Sequence, residues 1–179
     1  MKNLVRELTN YLLFTVVAIL LAALQCSLWL QLFGWFPAPQ IWLAVLTFWV
    51  LYRELWEAVV MMYVLAIVVS AFTAMPFAHL LAINLLTCLS LAFAKRRIYW
   101  AGSTFFMLAS GAAVVGLMVF TLLISWRYDH NPIRNLSIFS WLITALLTMF
   151  ISLPLHSIFG WFDHMTNKEH PTEAGTGVL

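Results

Sequence analysis

The stretch YLLFTVVAILLAALQCSLWLQLFGWFPAPQIWLAVLTFWVLY, residues 11–52, runs for 42 residues without an Asp, Glu, Lys or Arg. One helix crosses the hydrocarbon core of a bilayer in roughly 20 apolar residues, so this interval has room for two crossings. Gly34, Pro37 and Pro39 stand in its middle, where proline removes a backbone donor and ends a helix. Three more charge-free intervals follow: 58–94 with 37 residues, 98–126 with 29 and 135–162 with 28. The first of them again holds a pair, turned at Pro76, and the other two hold one helix each. The pattern predicts six transmembrane helices, near 10–33, 40–56, 58–75, 77–94, 99–126 and 136–161. Helices two to four are the shortest, which leaves room for one that is partly re-entrant or that thins the bilayer around it. Four crossings is the alternative count.

Composition agrees with this reading. Of 179 residues 64% are hydrophobic and 9% charged, against about 45–50% and about 25% in soluble domains. That much apolar side chain cannot be hidden inside a chain this short, so lipid must cover it. A formal net charge of +2 is too weak a bias for a nucleic-acid partner. The length excludes a large transporter or a membrane enzyme with a soluble catalytic domain. The expected fold is an all-α integral membrane protein, a single six-helix bundle over 1–166 followed by a flexible cytoplasmic tail at 167–179.

Basic residues set the orientation. With the N-terminus inside, inner segments carry Lys2, Arg6, Arg53, Lys95, Arg96, Arg97 and Lys168, and outer segments carry only Arg127 and Arg134. Both termini are then cytoplasmic. The first apolar run is longer than the 7–15 residues of a signal-peptide core and lacks a small-residue cleavage site, so it reads as an anchor helix.

Ionisable residues at mid-membrane depth would betray a pump, channel or enzyme, because they are costly there. Every acidic and basic residue is expected at a helix end or in a connection. No zinc-protease pattern, phosphate loop or serine elbow is present, and Cys26 and Cys88 make no metal spacing or disulfide framework. The expectation is therefore no enzyme, no metal and no cofactor. Among the five histidines, His79 reads as interfacial, His130 as outer loop, and His164 and His170 as inner tail. His156 follows Pro154 on one face with Ser152 and Gly160, and its expected partner is a carbonyl freed by the proline. Asn84, Thr87 and His156 are the candidate polar pocket.

Candidate partner contacts are Arg53, Glu54 and Glu57, with Arg53 and Glu57 spaced to pair along a helix, and Lys95, Arg96 and Arg97. That last cluster attracts anionic lipid at about 1 kcal/mol per basic residue. Small residues in helix five, Ala109 with Ala113 and Ala112 with Gly116, allow close backbone approach. Their partner is another helix of this chain, a second protein or a second copy. Trp35, Trp42, Trp56, Trp100, Trp126 and Trp161 read as an interfacial belt, with Trp29, Trp49 and Trp141 deeper.

This arrangement resembles the rod-shape-determining MreD family of bacterial inner-membrane proteins. The resemblance rests on the proline-bearing entry to an aromatic helix, PAPQIWLAVLTFW at 37–49, and on VLAIVVSAFTAMPFAHLLA at 64–82. It extends to the basic cluster Lys95-Arg96-Arg97 and to LITALLTMFISLPL at 142–155 with Phe162-Asp163. Where family members often carry Gly and Asp in the third helix, this chain has Ala66 and Ser70, and Ala78 replaces a glycine at the turn. The resemblance implies a scaffold of the cell-elongation and peptidoglycan-synthesis machinery. Its implied partners are an MreC-like single-span protein and cell-wall synthases, besides the lipid bilayer. It also implies a fold similar to the substrate-binding subunits of energy-coupling-factor transporters. A vitamin-binding subunit of that kind, with its ligand among tryptophans and Asn84, is the alternative function.

Overall fold

The computed structural model describes residues 2–97, 102–128 and 137–166. Trp100, His130, Arg134, Lys168, His170 and the tail at 167–179 lie outside them. The described residues are helical, with no strand among them. Helix α1 (Lys2–Ala23) continues through a π turn (Leu24–Leu28) into α2 (Trp29–Phe33). Then come α3 (Ile41–Tyr52), α4 (Leu55–Phe72), α5 (Phe77–Arg97), α6 (Ser103–Tyr128) and α7 (Ile138–Met165).

Among the described residues five helical segments are long and apolar enough to cross a membrane: Arg6–Phe33, Leu55–Phe72, Phe77–Arg97, Ser103–Arg127 and Ile138–Met165. This suits a multi-pass membrane protein, and it does not confirm the expected count of six. The second expected helix, 40–56, is in fact the 12-residue α3. At 1.5 Å per residue α3 spans about 18 Å, well short of a hydrocarbon core about 30 Å thick.

All twelve residues of α3 are buried. Its sequence is apolar all round, which is the pattern of a helix enclosed on every side, and it packs against α1, α4, α5, α6 and α7. The connection before it descends into the bundle, because Pro39 is buried and the Gln40 N–H donates to Thr148 Oγ1 at 2.9 Å. Thr148 lies ten residues into α7, about 15 Å along its axis. At the other end Arg53 and Glu54 adopt extended backbone angles and separate α3 from α4.

The core is aromatic where α3 meets its neighbours. Phe14, Phe48, Phe106 and Phe159 are fully buried, with Phe48 5.6 Å from Phe14, 6.1 Å from Phe106 and 5.1 Å from Phe159 between ring centroids. Helix α1 contributes Asn10, Phe14, Ala18 and Ala22, a buried stripe at four-residue spacing. Helices α6 and α7 approach closely at Gly111, where a Cβ would stand 2.5 Å from Met149 Sδ. Gly102, just before α6, has a φ of 112°, which only glycine adopts without strain. Large apolar side chains such as Leu12, Leu32, Leu123 and Phe150 point outward, as lipid-facing positions should.

The N-terminal part of α1 meets the C-terminal end of α7 through Asn10 and Asp163. The C-terminal ends of α3 and α5 lie there too, joined by Lys95. This is the basic end of the bundle, and the α4–α5 turn at residues 73–76 marks the far end.

Candidate functional site

A half-length helix inside an apolar bundle has a problem at each end. Its first N–H groups and last C=O groups lack intrahelical partners, and water is not at hand to replace them. The far-half end of α3 is closed by side chains from α1 and α7. The Ile41 N–H donates to Gln25 Oε1 at 3.0 Å, beside the Gln40 N–H bond to Thr148. Gln25 sits in the π turn, a form of helix often found at functional positions.

Gln25 and Gln40 are locked to each other. Gln25 Nε2 donates to Gln40 Oε1 at 3.0 Å, and Trp42 Nε1 donates to the same oxygen at 3.0 Å. Beside this network lies a cavity of about 160 Å³ lined by Gln25, Cys26, Gln40, Trp42, Thr73 and Thr121 among apolar neighbours. A second cavity of about 260 Å³ shares Met75, Ile83 and Thr121 with it and reaches Pro76, His79 and Ser125.

The basic end of α3 is closed by charge. Lys95 Nζ donates to the carbonyls of Val50 at 3.1 Å and Arg53 at 3.2 Å, a cation on the negative end of the helix dipole. Arg53 Nη2 is ion-paired with Asp163 Oδ1, both side chains 1% exposed. Asn10 Nδ2 donates to the same Asp163 oxygen at 3.1 Å and to Thr166 Oγ1 at 2.8 Å. The Arg53 guanidinium also stands 5.5 Å from the Trp49 ring.

The helix-end position expected of the charges holds here, but it does not keep them out of the interior. Arg53, Glu57 and Asp163 lie at helix ends, yet all three are buried inside the bundle. The predicted Arg53–Glu57 pairing along one helix loses its basis, because the extended backbone at Arg53 and Glu54 breaks that helix. Glu54 is exposed and accepts from Trp56 Nε1 at 2.7 Å. Arg96 and Arg97 are exposed.

The small face of α6 divides. Ala109 and Ala113 are buried within the bundle, while Ala112 is exposed and Gly116 half-buried. Asn84, Thr87 and His156 line neither of these two cavities. Asn84 and Thr87 are buried in α5, and the Thr87 hydroxyl donates to its own helix at Ile83. The partner His156 takes across the bundle is the Tyr52 hydroxyl, 3.1 Å from Nε2, with the Phe106 ring centroid 5.3 Å away. His79 is half-buried at the second cavity. Trp35, Trp56, Trp126 and Trp161 are exposed, as a belt requires, whereas Trp42 belongs to the interior network.

Residues that sequence reasoning passed over are Asn10, Gln25, Gln40, Thr148 and Asp163. A search for mid-membrane charge overlooks neutral amides, although an unpaired amide in an apolar medium also costs several kcal/mol. Among the described residues no group of three potential metal ligands comes together. Compared with protein-family models, curated proteins and solved structures, the chain matches none of them.

Proposed function

We propose that this chain is a non-enzymatic scaffold of the bacterial cell-elongation machinery, akin to the MreD proteins it resembles. In this reading it resides in the inner membrane with both termini cytoplasmic. It acts by helix contact with an MreC-like single-span protein, and through it with the cell-wall synthases. The observation that carries the reading is a groove of about 300 Å³ between α5 and α6, lined by Leu51, Leu91, Ala94, Phe105, Leu108, Ala109 and Ala112. No lining side chain carries a charge or a hydrogen-bonding group, which suits a partner helix better than a polar substrate. Ala94, Ala109 and Ala112 are small enough to admit another backbone. Arg96 and Arg97, exposed just beyond its basic end, suit an acidic juxtamembrane segment or anionic lipid. The remaining charges nearby are engaged internally, Arg53 with Asp163 and Lys95 with the end of α3.

Depletion of the protein tests the role, and co-purification in mild detergent tests the mode. Loss of rod width on depletion is expected, together with recovery of the single-span protein by the wild type and not by Ala112→Trp. Normal rod width and length under depletion would overturn the proposal.

A further inference from the structure

The amide network at the far-half end of α3 leaves an excess of hydrogen-bond donors. The Ile41 N–H and Trp42 Nε1–H can only donate. They fix Gln25 Oε1 and Gln40 Oε1 as acceptors, which orients both amides. Gln25 Nε2 spends one hydrogen on Gln40 Oε1. Its second hydrogen and both hydrogens on Gln40 Nε2 have no partner among the described residues, and both glutamines line the cavity of about 160 Å³. The Thr73 and Thr121 hydroxyls beside them donate to Val69 and Leu117 carbonyls of their own helices. No Asp, Glu, Lys, Arg or His lines this cavity, and most of its wall is apolar. Its volume is far above the 10–15 Å³ that one water needs.

We infer that this cavity is a binding site for an uncharged molecule bearing a carbonyl-type acceptor on an apolar body, held by the Gln40 and Gln25 amide N–H groups. A charged ligand would find no counter-charge, and at the amides three free hydrogens stand against one remaining acceptor site, the second lone pair of Gln25 Oε1. Two sources supply that chemistry: the acyl ester of a membrane lipid and a free amphiphile such as a ketone. A scaffold that holds a lipid and a ligand-binding subunit would both need such a site, so its test is separate from the test of function.

The chain has three glutamines, Gln25, Gln31 and Gln40, and Gln31 is exposed. Selective 15N labelling of glutamine side chains therefore gives three amide pairs with an internal control. One arm compares nanodiscs of diacyl-ester phospholipid with nanodiscs of its dialkyl-ether analogue. The other titrates 2-heptanone into protein held in the ether lipid. Expected is a downfield shift of the Gln40 amide protons with little movement of Gln31, either on going to the ester lipid or saturably with ketone. The arm that responds identifies the source. Cys26→Phe, which fills the cavity while leaving both glutamines in the sequence, should keep a Gln40 signal and abolish the shift. Absence of a Gln40 shift in both arms, equal movement of Gln31, or a shift that survives Cys26→Phe would each overturn the inference.

Discussion

Replacing Asp163 with Asn removes the charge opposite Arg53 while keeping an acceptor oxygen for Asn10. The guanidinium then stays inside the bundle without its ion-pair partner. Its Nε and Nη1 make no hydrogen bond among the described residues, so little else in the site holds it. With both side chains 1% exposed, salt screens the pair weakly. Truncating one partner of such a pair costs about 3–5 kcal/mol, whereas replacing both by apolar residues of similar volume is often neutral. The expected pattern is a loss of that size for Asp163→Asn, for Asp163→Leu and for Arg53→Met. The double variant Arg53→Met with Asp163→Leu should recover most of it, so that its loss falls short of the sum of its two singles by about 5 kcal/mol or more. Equilibrium unfolding in mixed detergent and SDS micelles, followed by tryptophan fluorescence, reads all four corners of the cycle. Glu54→Gln, an exposed charge, is the control and should stay within about 0.5 kcal/mol. A single substitution costing under about 1 kcal/mol, or a double variant as unstable as the sum of the singles, would refute the reasoning.

Further outcomes follow from the same contacts. Lys95→Met strips a charged donor from the end of α3, so a loss of about 1.5–3 kcal/mol is expected, with faster hydrogen exchange confined to the last turn of α3. Gln25→Leu orphans the Ile41 N–H in an apolar setting and should cost about 1–3 kcal/mol by the same unfolding assay; an unchanged midpoint would mean that another group satisfies it. Gly111→Val places methyl groups against Met149 and should destabilise by about 1–3 kcal/mol, and Met149→Ala in the same chain should restore part of the loss. Additive penalties there would show that the two residues do not meet.

Charge-free intervals locate five of the helices closely, because a bilayer fixes how long an apolar run must be. The expected 58–75 and 77–94 appear as Leu55–Phe72 and Phe77–Arg97, and Pro76 marks the turn between them. The same ruler overstates α3, since hydropathy registers that a residue avoids water and not whether lipid or protein surrounds it. Leu43 and Leu12 are equally apolar in sequence, yet one is fully buried and the other 59% exposed. The clamps were illegible for a different reason. Arg53 and Asp163 are 110 residues apart, and only the packing of α3 against α7 turns two edge charges into an interior pair. Gln25 and Gln40 were visible as the polar exceptions in an apolar stretch, and the cost of burying an amide was the signal for them. The small residues of α6 form one stripe in sequence, but α7 takes Gly111 against Met149 and leaves Ala112 outward. That division decides which alanine is free to meet another protein.

Site-specific photo-crosslinking from Ala112 in living cells tests the scaffold claim most directly, with Phe150, an outward position on α7 that is 67% exposed, as the lipid-facing control. The account predicts a discrete adduct with an MreC-like single-span membrane protein from position 112 and none from position 150. The same products from both positions, or lipid adducts alone from position 112, would contradict it.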